Sequence, residues 1–160
     1  MKFDIEEIWE DIKSDDSGVL LNRATQGLYP PGSVFKLFTL GEYIDSHKDS
    51  YKDYSFECDG TTSQSDYSIS CSNKRSHGKL SLLNAFAQSC NCAFVDIGAM
   101  IDTDSLSKYC KDKLFNSELP VDIAYKSSSF TLSGSDSEFT KSQTVIGQGE
   151  TLVTPMHMCM

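Results

Sequence analysis

Tyr29-Pro30-Pro31-Gly32-Ser33-Val34-Phe35-Lys36 puts a serine, and three residues later a lysine, at the entrance to an apolar helical run. The prolines fix φ and Gly32 permits a sharp turn, so a stiff segment bends into a predicted helix whose first turn holds Ser33. Leu37, Phe38, Leu40, Gly41 and Ile44 continue an apolar face at spacings of three and four, which predicts a buried helix. Positions i and i+3 share a helix face, so the Lys36 amine can approach the Ser33 hydroxyl. A serine is a weak nucleophile until a base takes its proton, and a lysine serves as that base only if burial or nearby positive charge lowers its pKa. The helix N-terminus adds partial positive charge and free N–H groups suited to an oxyanion at Ser33. Taken alone, a helix that starts with Ser and carries a solvated Lys explains the motif equally well.

The chain carries its own control. A serine three positions before a lysine arises by chance about once in a chain of this size, and Ser76-His77-Gly78-Lys79 and Ser105-Leu106-Ser107-Lys108 repeat the pattern without the surroundings of Ser33.

With 160 residues the chain is long enough for one domain with its own core. A formal charge of −9 supplies no basic surface for nucleic acid or anionic membrane, so neither is expected as a partner. No apolar stretch reaches bilayer length, and Met1-Lys2-Phe3-Asp4 does not begin a signal peptide, so the chain reads as soluble. The six cysteines lack paired C-x-x-C spacing, so a metal cluster is open but poorly supported, and no metal or cofactor is expected. Cys58 and Cys71 flank a Gly/Ser/Thr-rich stretch that reads as a short hairpin, which leaves a disulfide between them open in an oxidising compartment. Cys90 and Cys92, among Ala85, Phe86 and Phe94, read as small buried hydrophobes.

Ile5, Ile8, Trp9 and Ile12 predict a first amphipathic helix with a solvated acidic face of Glu6, Glu7 and Glu10, followed by the turn Ser14-Asp15-Asp16-Ser17-Gly18. Residues 46–78 read as an irregular excursion with one hairpin. A helix is predicted over about 80–88 with Ser81 as N-cap, and another after Ser89-Cys90-Asn91 to about Ile101. Asp104 is the expected cap of a further helix through Leu106, Tyr109, Cys110 and Leu114. Residues 116–144 read as mostly loop, Gly147-Gln148-Gly149 as a flexible turn, and Thr154-Pro155 as N-cap and first position of a last helix.

Ser89-Cys90-Asn91 falls at the junction of two predicted helices, where both polar side chains can project the same way. A hydroxyl there can relay a proton between Lys36 and a leaving amine, and the Asn91 amide offers a donor and an acceptor to a peptide-like substrate. Helix capping is the commoner use of both residues.

The stretch Asn22-Arg23-Ala24-Thr25-Gln26-Gly27-Leu28-Tyr29-Pro30-Pro31-Gly32-Ser33-Val34-Phe35-Lys36 resembles the active-site segment of penicillin-binding protein transpeptidases. Ala87-Gln88-Ser89-Cys90-Asn91-Cys92-Ala93-Phe94 is similar to that family's second motif, and Ile146-Gly147-Gln148-Gly149 with Val153-Thr154-Pro155 to the segment after it. The resemblance implies that residues 1–160 are part of a transpeptidase domain: a mostly α portion of an α/β (α+β) β-lactamase/transpeptidase-like fold, with the main antiparallel sheet largely missing. It implies catalytic roles for Ser33, Lys36 and Ser89 and substrate binding by Asn91, Gly147, Gln148 and Gly149. Its expected partners are peptidoglycan stem peptides and β-lactam antibiotics, without cofactor or metal. The parent protein is then expected on the extracytoplasmic face of the bacterial membrane, held by an anchor outside this sequence.

One feature of the family is missing: no Lys/His-Ser/Thr-Gly occurs in the sequence. The expectation is a segment inactive by itself and prone to self-association where helices lack their sheet. The competing readings are a serine β-lactamase or β-lactam sensor, and a non-catalytic wall-binding or interaction module.

Overall fold

A computed structural model describes residues 5–63 and 66–160, with side chains from residue 8 onward. The expectations for Met1 to Asp4 and for the side chains of Ile5, Glu6 and Glu7 fall outside these residues. The described chain is mostly helical, with two small antiparallel sheets.

α1 (Ile5–Lys13) forms as its periodicity predicts. Its apolar face is open, with Ile8 and Trp9 exposed. The Pro-Pro-Gly segment then leads into a 3-10 turn (Gly32–Phe35) that continues as α2 (Lys36–Ser46). Phe35 is wholly buried and stacks on Phe38 and Phe130, with ring centroids 5.4 and 5.7 Å apart, which pins the turn to the core.

The buried face of α2 is only partly the predicted one, with Phe38, Leu40 and Ile44 half-buried against the core. Leu37 is exposed, while Lys36, Thr39, Glu42 and Tyr43 are turned inward against α4 and α5. Thr39 Oγ1 satisfies itself by donating to the Val145 carbonyl at 2.8 Å, so a polar residue fits where a pattern reading expects an apolar one.

The excursion after α2 is more ordered than its composition suggests. β1 (Ser55–Cys58) pairs antiparallel with β4 (Gly78–Ser81), Phe56 opposite Leu80. Between them lies the expected hairpin, β2 (Thr61–Ser63) with β3 (Ser68–Ser70). Leu80 belongs to β4, so α3 starts later than predicted, at Leu82, and runs to Ala87 with the Ser81 side chain accepting from the Asn84 N–H.

α4 (Asn91–Met100) is the central helix, with Cys92, Ala93, Phe94, Val95, Ile97 and Gly98 all buried. A helix apolar nearly all round must be enclosed. α2 covers one side and α6 another, where a Cβ on Gly98 would come within 2.7 Å of the Val145 side chain. α5 (Thr103–Asp112) is capped by Asp102 rather than Asp104, the Asp102 carboxylate accepting from the Ser105 N–H at 2.9 Å. α6 (Glu138–Thr144), capped by Ser137, occupies the end of the stretch read as loop. α7 (Pro155–Met158) has Thr154 as N-cap and Pro155 at its first position, as expected.

Candidate active site

Four elements meet at the Lys36 amine. Ser33 comes from the 3-10 turn, Lys36 from the first position of α2, Ser89 from the α3–α4 junction and Asn91 from the start of α4. Lys36 is only 1% exposed, a burial that lysine seldom tolerates. Its Nζ lies 2.6 Å from Asn91 Oδ1, 2.7 Å from the Ser89 carbonyl, 3.0 Å from Ser89 Oγ and 3.3 Å from Ser33 Oγ. The Phe94 ring closes the inner side, its centroid 5.5 Å away.

These contacts suit a neutral amine. It has two N–H donors, matched by the two shortest contacts, and a lone pair left for a hydroxyl proton of Ser33 or Ser89. Burial lowers the Lys36 pKa to about 8, against an opposing pull from nearby Cys90, Cys71 and Cys92. A useful fraction of base is therefore present near neutrality.

The cradle depends on unusual backbone. Ser89 sits at φ 51°, in the left-handed region that a residue with a Cβ rarely adopts, and this turns both its carbonyl and its hydroxyl toward Lys36. Asn91 is held from both ends, its Nδ2 donating to the Ser70 carbonyl at 2.9 Å. One amide hydrogen is thus left for a ligand, while the acceptor that the sequence also offers to a substrate is taken by Lys36.

Gly147-Gln148-Gly149 lies beside Ser33 in an unexpected way. The Gly32 N–H donates to the Gly147 carbonyl at 2.9 Å, and a Cβ on Gly147 (φ +78°) would overlap the Gly32 carbonyl. Gly147 therefore shapes the Ser33 turn. Gln148 and Gly149 are exposed next to it.

Beside Ser33 opens a polar pocket of about 310 Å³ that takes in Ser89 and Asn91 and adds Ser72, Asn73, Arg75, His77 and Gln88. Ser72, Asn73, Arg75 and His77 were missed in the sequence because their loop reads there only as polar and irregular. A larger cleft of about 690 Å³ between the hairpin and α6 holds none of the catalytic candidates.

A further set was also missed as a set. Cys58, Cys71, Cys90 and Cys92 are buried free thiols in one cluster, with Cys58 and Cys71 sulfurs 3.8 Å apart. Three other sulfur pairs lie at 3.4–3.6 Å.

The sequence profile of the penicillin binding protein transpeptidase domain matches residues 7–160. The chain belongs to this family. Stage V sporulation protein D of Bacillus subtilis is 30% identical over 95 residues, covering 59% of this chain and 15% of that protein. Peptidoglycan D,D-transpeptidase PbpA of Mycolicibacterium smegmatis is 33% identical over 101 residues, 61% of this chain and 21% of that protein. The transpeptidase-domain chain thus spans well under half the length of these relatives. Its fold matches penicillin-binding protein A of M. tuberculosis, solved as an imipenem acyl-enzyme complex, with a TM-score of 0.83 at 23% identity, covering 96% of this chain and 36% of that one. The D,D-transpeptidase domain of a peptidoglycan glycosyltransferase from Eggerthella lenta matches at a TM-score of 0.83 and 24% identity over 97% of this chain and 40% of that one. The fold class is therefore the expected helical part of a transpeptidase domain.

Proposed function

We propose that the protein carrying this segment is a peptidoglycan D,D-transpeptidase and that Ser33 is its nucleophile. The observation that supports this most is the buried Lys36 amine within 3.3 Å of Ser33 Oγ. Neutral Lys36 takes the Ser33 proton as Oγ attacks the penultimate D-Ala carbonyl of a stem peptide. The carbonyl–nitrogen bond then breaks, and the departing D-Ala amine receives the proton from Lys36 through Ser89 Oγ, leaving an ester on Ser33. An amine of a second stem peptide attacks that ester to form the cross-link and release the serine. A β-lactam acylates the same oxygen, its ring amide in place of the scissile bond.

Arg75, in the pocket wall, is suited to the substrate carboxylate because its guanidinium stays charged. The remaining hydrogen of Asn91 and the exposed Gln148 and Gly149 face the substrate in this reading. The protein works on the outer face of the cytoplasmic membrane, where stem peptides are cross-linked. None of the described helices is long and apolar enough to cross a membrane.

No Lys-Thr-Gly or close variant occurs among these residues, so residues 1–160 expressed alone are expected to acylate very slowly. Exposed Trp9, Leu37 and Leu83 favour association of that segment with itself. Fluorescent penicillin tests the assignment: it labels the full-length protein and not its Ser33→Ala variant. Equal labelling of the two would refute it.

A further inference from the structure

We propose that Cys58, Cys71, Cys90 and His77 form a tetrahedral zinc site in the wall of the catalytic pocket, and that zinc holds the Ser89 to Asn91 cradle in place. The four donor atoms all lie within 4.8 Å of one another. Zinc–sulfur bonds of about 2.3 Å in a tetrahedron put sulfurs about 3.8 Å apart. The sulfur pairs 58–71, 71–90 and 58–90 stand at 3.8, 3.6 and 3.4 Å, and Cys58 Sγ is 3.4 Å from His77 Nδ1. The three sulfur spacings therefore need shifts of only a few tenths of an ångström, and the His77 ring, within 4.8 Å of every sulfur, closes the set by a small side-chain rotation.

Packing alone does not account for the arrangement. Buried cysteines commonly serve as small hydrophobes scattered through a core, as Cys110 does in α5. Here the donors come from the end of β1, the residue after β3, the loop before β4 and the N-cap of α4, and they converge on one point. Those strands make two separate two-stranded sheets, which are marginal by themselves, and a metal would tie both to α4. Three thiolates and an imidazole are a donor set that selects zinc over harder cations. Binding releases the three thiol protons. Cys92 stays outside the set, its sulfur 3.5 Å from that of Cys71, close enough to donate to a Cys71 thiolate.

The site bears on catalysis through the chain itself. Cys90 lies between Ser89 and Asn91, whose oxygens make the two shortest contacts to Lys36. Fixing the Cys90 sulfur fixes that backbone, including the left-handed Ser89. This coupling rests on the transpeptidase reading, whereas the metal site does not.

Metal analysis of the full-length protein, purified with reductant and dialysed against trace zinc, tests the site. The expected result is one zinc per chain, lost in Cys58→Ser and Cys90→Ser and kept in Cys92→Ser and Cys159→Ser. Should the ligand variants fail to fold, Co²⁺ added to the metal-free wild type supplies a second readout, the thiolate charge-transfer and tetrahedral d–d bands. Reduced wild type that takes up neither metal would overturn the site, as would a disulfide among these cysteines in protein prepared with zinc present. Chelation is expected to slow penicillin labelling about a hundredfold, reversed by zinc, because small misplacements of catalytic groups have effects of that size. Zinc uptake with unchanged labelling would overturn the coupling. If no form of the protein labels, the transpeptidase reading fails and metal content still decides the site.

Discussion

Ser33-x-x-Lys36 and Ser105-x-x-Lys108 have the same spacing and opposite surroundings. Lys108 stands in solvent on α5, with Ser105 beside a helix cap. Lys36 is buried among Asn91, Ser89 and Phe94, and that burial lowers its pKa to about 8. The third pair differs again: Lys79 is exposed on β4, and Ser76 donates its hydroxyl proton to the Cys58 carbonyl at 2.8 Å. Spacing brings a serine and an amine within reach, and desolvation turns the amine into a base.

The comparison breaks most sharply at the nucleophile. Ser33→Ala should abolish covalent penicillin labelling of the full-length protein, while Ser105→Ala and Ser76→Ala retain it, as read by gel fluorescence. Lys36→Ala should slow acylation by about 10²–10⁴-fold, the usual worth of a positioned base, in stopped-flow or quenched-label kinetics. Labelling that survives Lys36→Ala at full rate would make the burial of this lysine irrelevant to chemistry.

Acidity sharpens it next. The acylation rate should climb as pH rises through about 8, following loss of the Lys36 proton. The same shift acts on stability. Unfolded lysine keeps its proton up to about 10.4, so between that value and 8 the unfolded chain binds more protons. Stability from this group therefore rises with pH across that window, and below it the whole cost of burying the charge applies. Chemical denaturation at several pH values should show this rise in wild type and not in Lys36→Met.

Gly147→Ala should lower stability by more than ~1 kcal/mol, since its φ of +78° and the Gly32 carbonyl both exclude a methyl. It should also slow acylation by moving the Ser33 turn, whereas Gln148→Ala, on an exposed side chain, should leave the melting temperature unchanged. The smallest effect is expected at Asp102→Ala, a slightly lower melting temperature from loss of the α5 cap with acylation kinetics intact.

What could be read from the sequence followed from how local each interaction is. Ser33 with Lys36, and Ser89 with Asn91, are neighbours along the chain, and the helix starts around them carry Pro, Gly and capping residues. That these two pairs converge on one amine was offered by the sequence only as one use of Ser89 beside helix capping, and the resemblance favoured it, since 53 residues separate Lys36 from Ser89. The Cys58, Cys71, His77 and Cys90 set was invisible for the same reason: its members come from four separate places in the fold, and none of its cysteine pairs has the C-x-x-C spacing that marks a metal site in sequence. α6 was missed because Glu138-Phe139-Thr140-Lys141-Ser142 has no apolar stripe and owes its start to the Ser137 cap. Leu37 was placed inside because its spacing groups it with Phe38, Leu40 and Ile44, and periodicity cannot show that polar Lys36 and Thr39 belong to the inward face instead.

The most direct test of the account is peptide mapping by mass spectrometry after the full-length protein reacts with penicillin. The account predicts a single penicilloyl adduct on the peptide containing Ser33, forming faster as pH rises through about 8. An adduct on any other residue, or a rate indifferent to pH across that range, would contradict it.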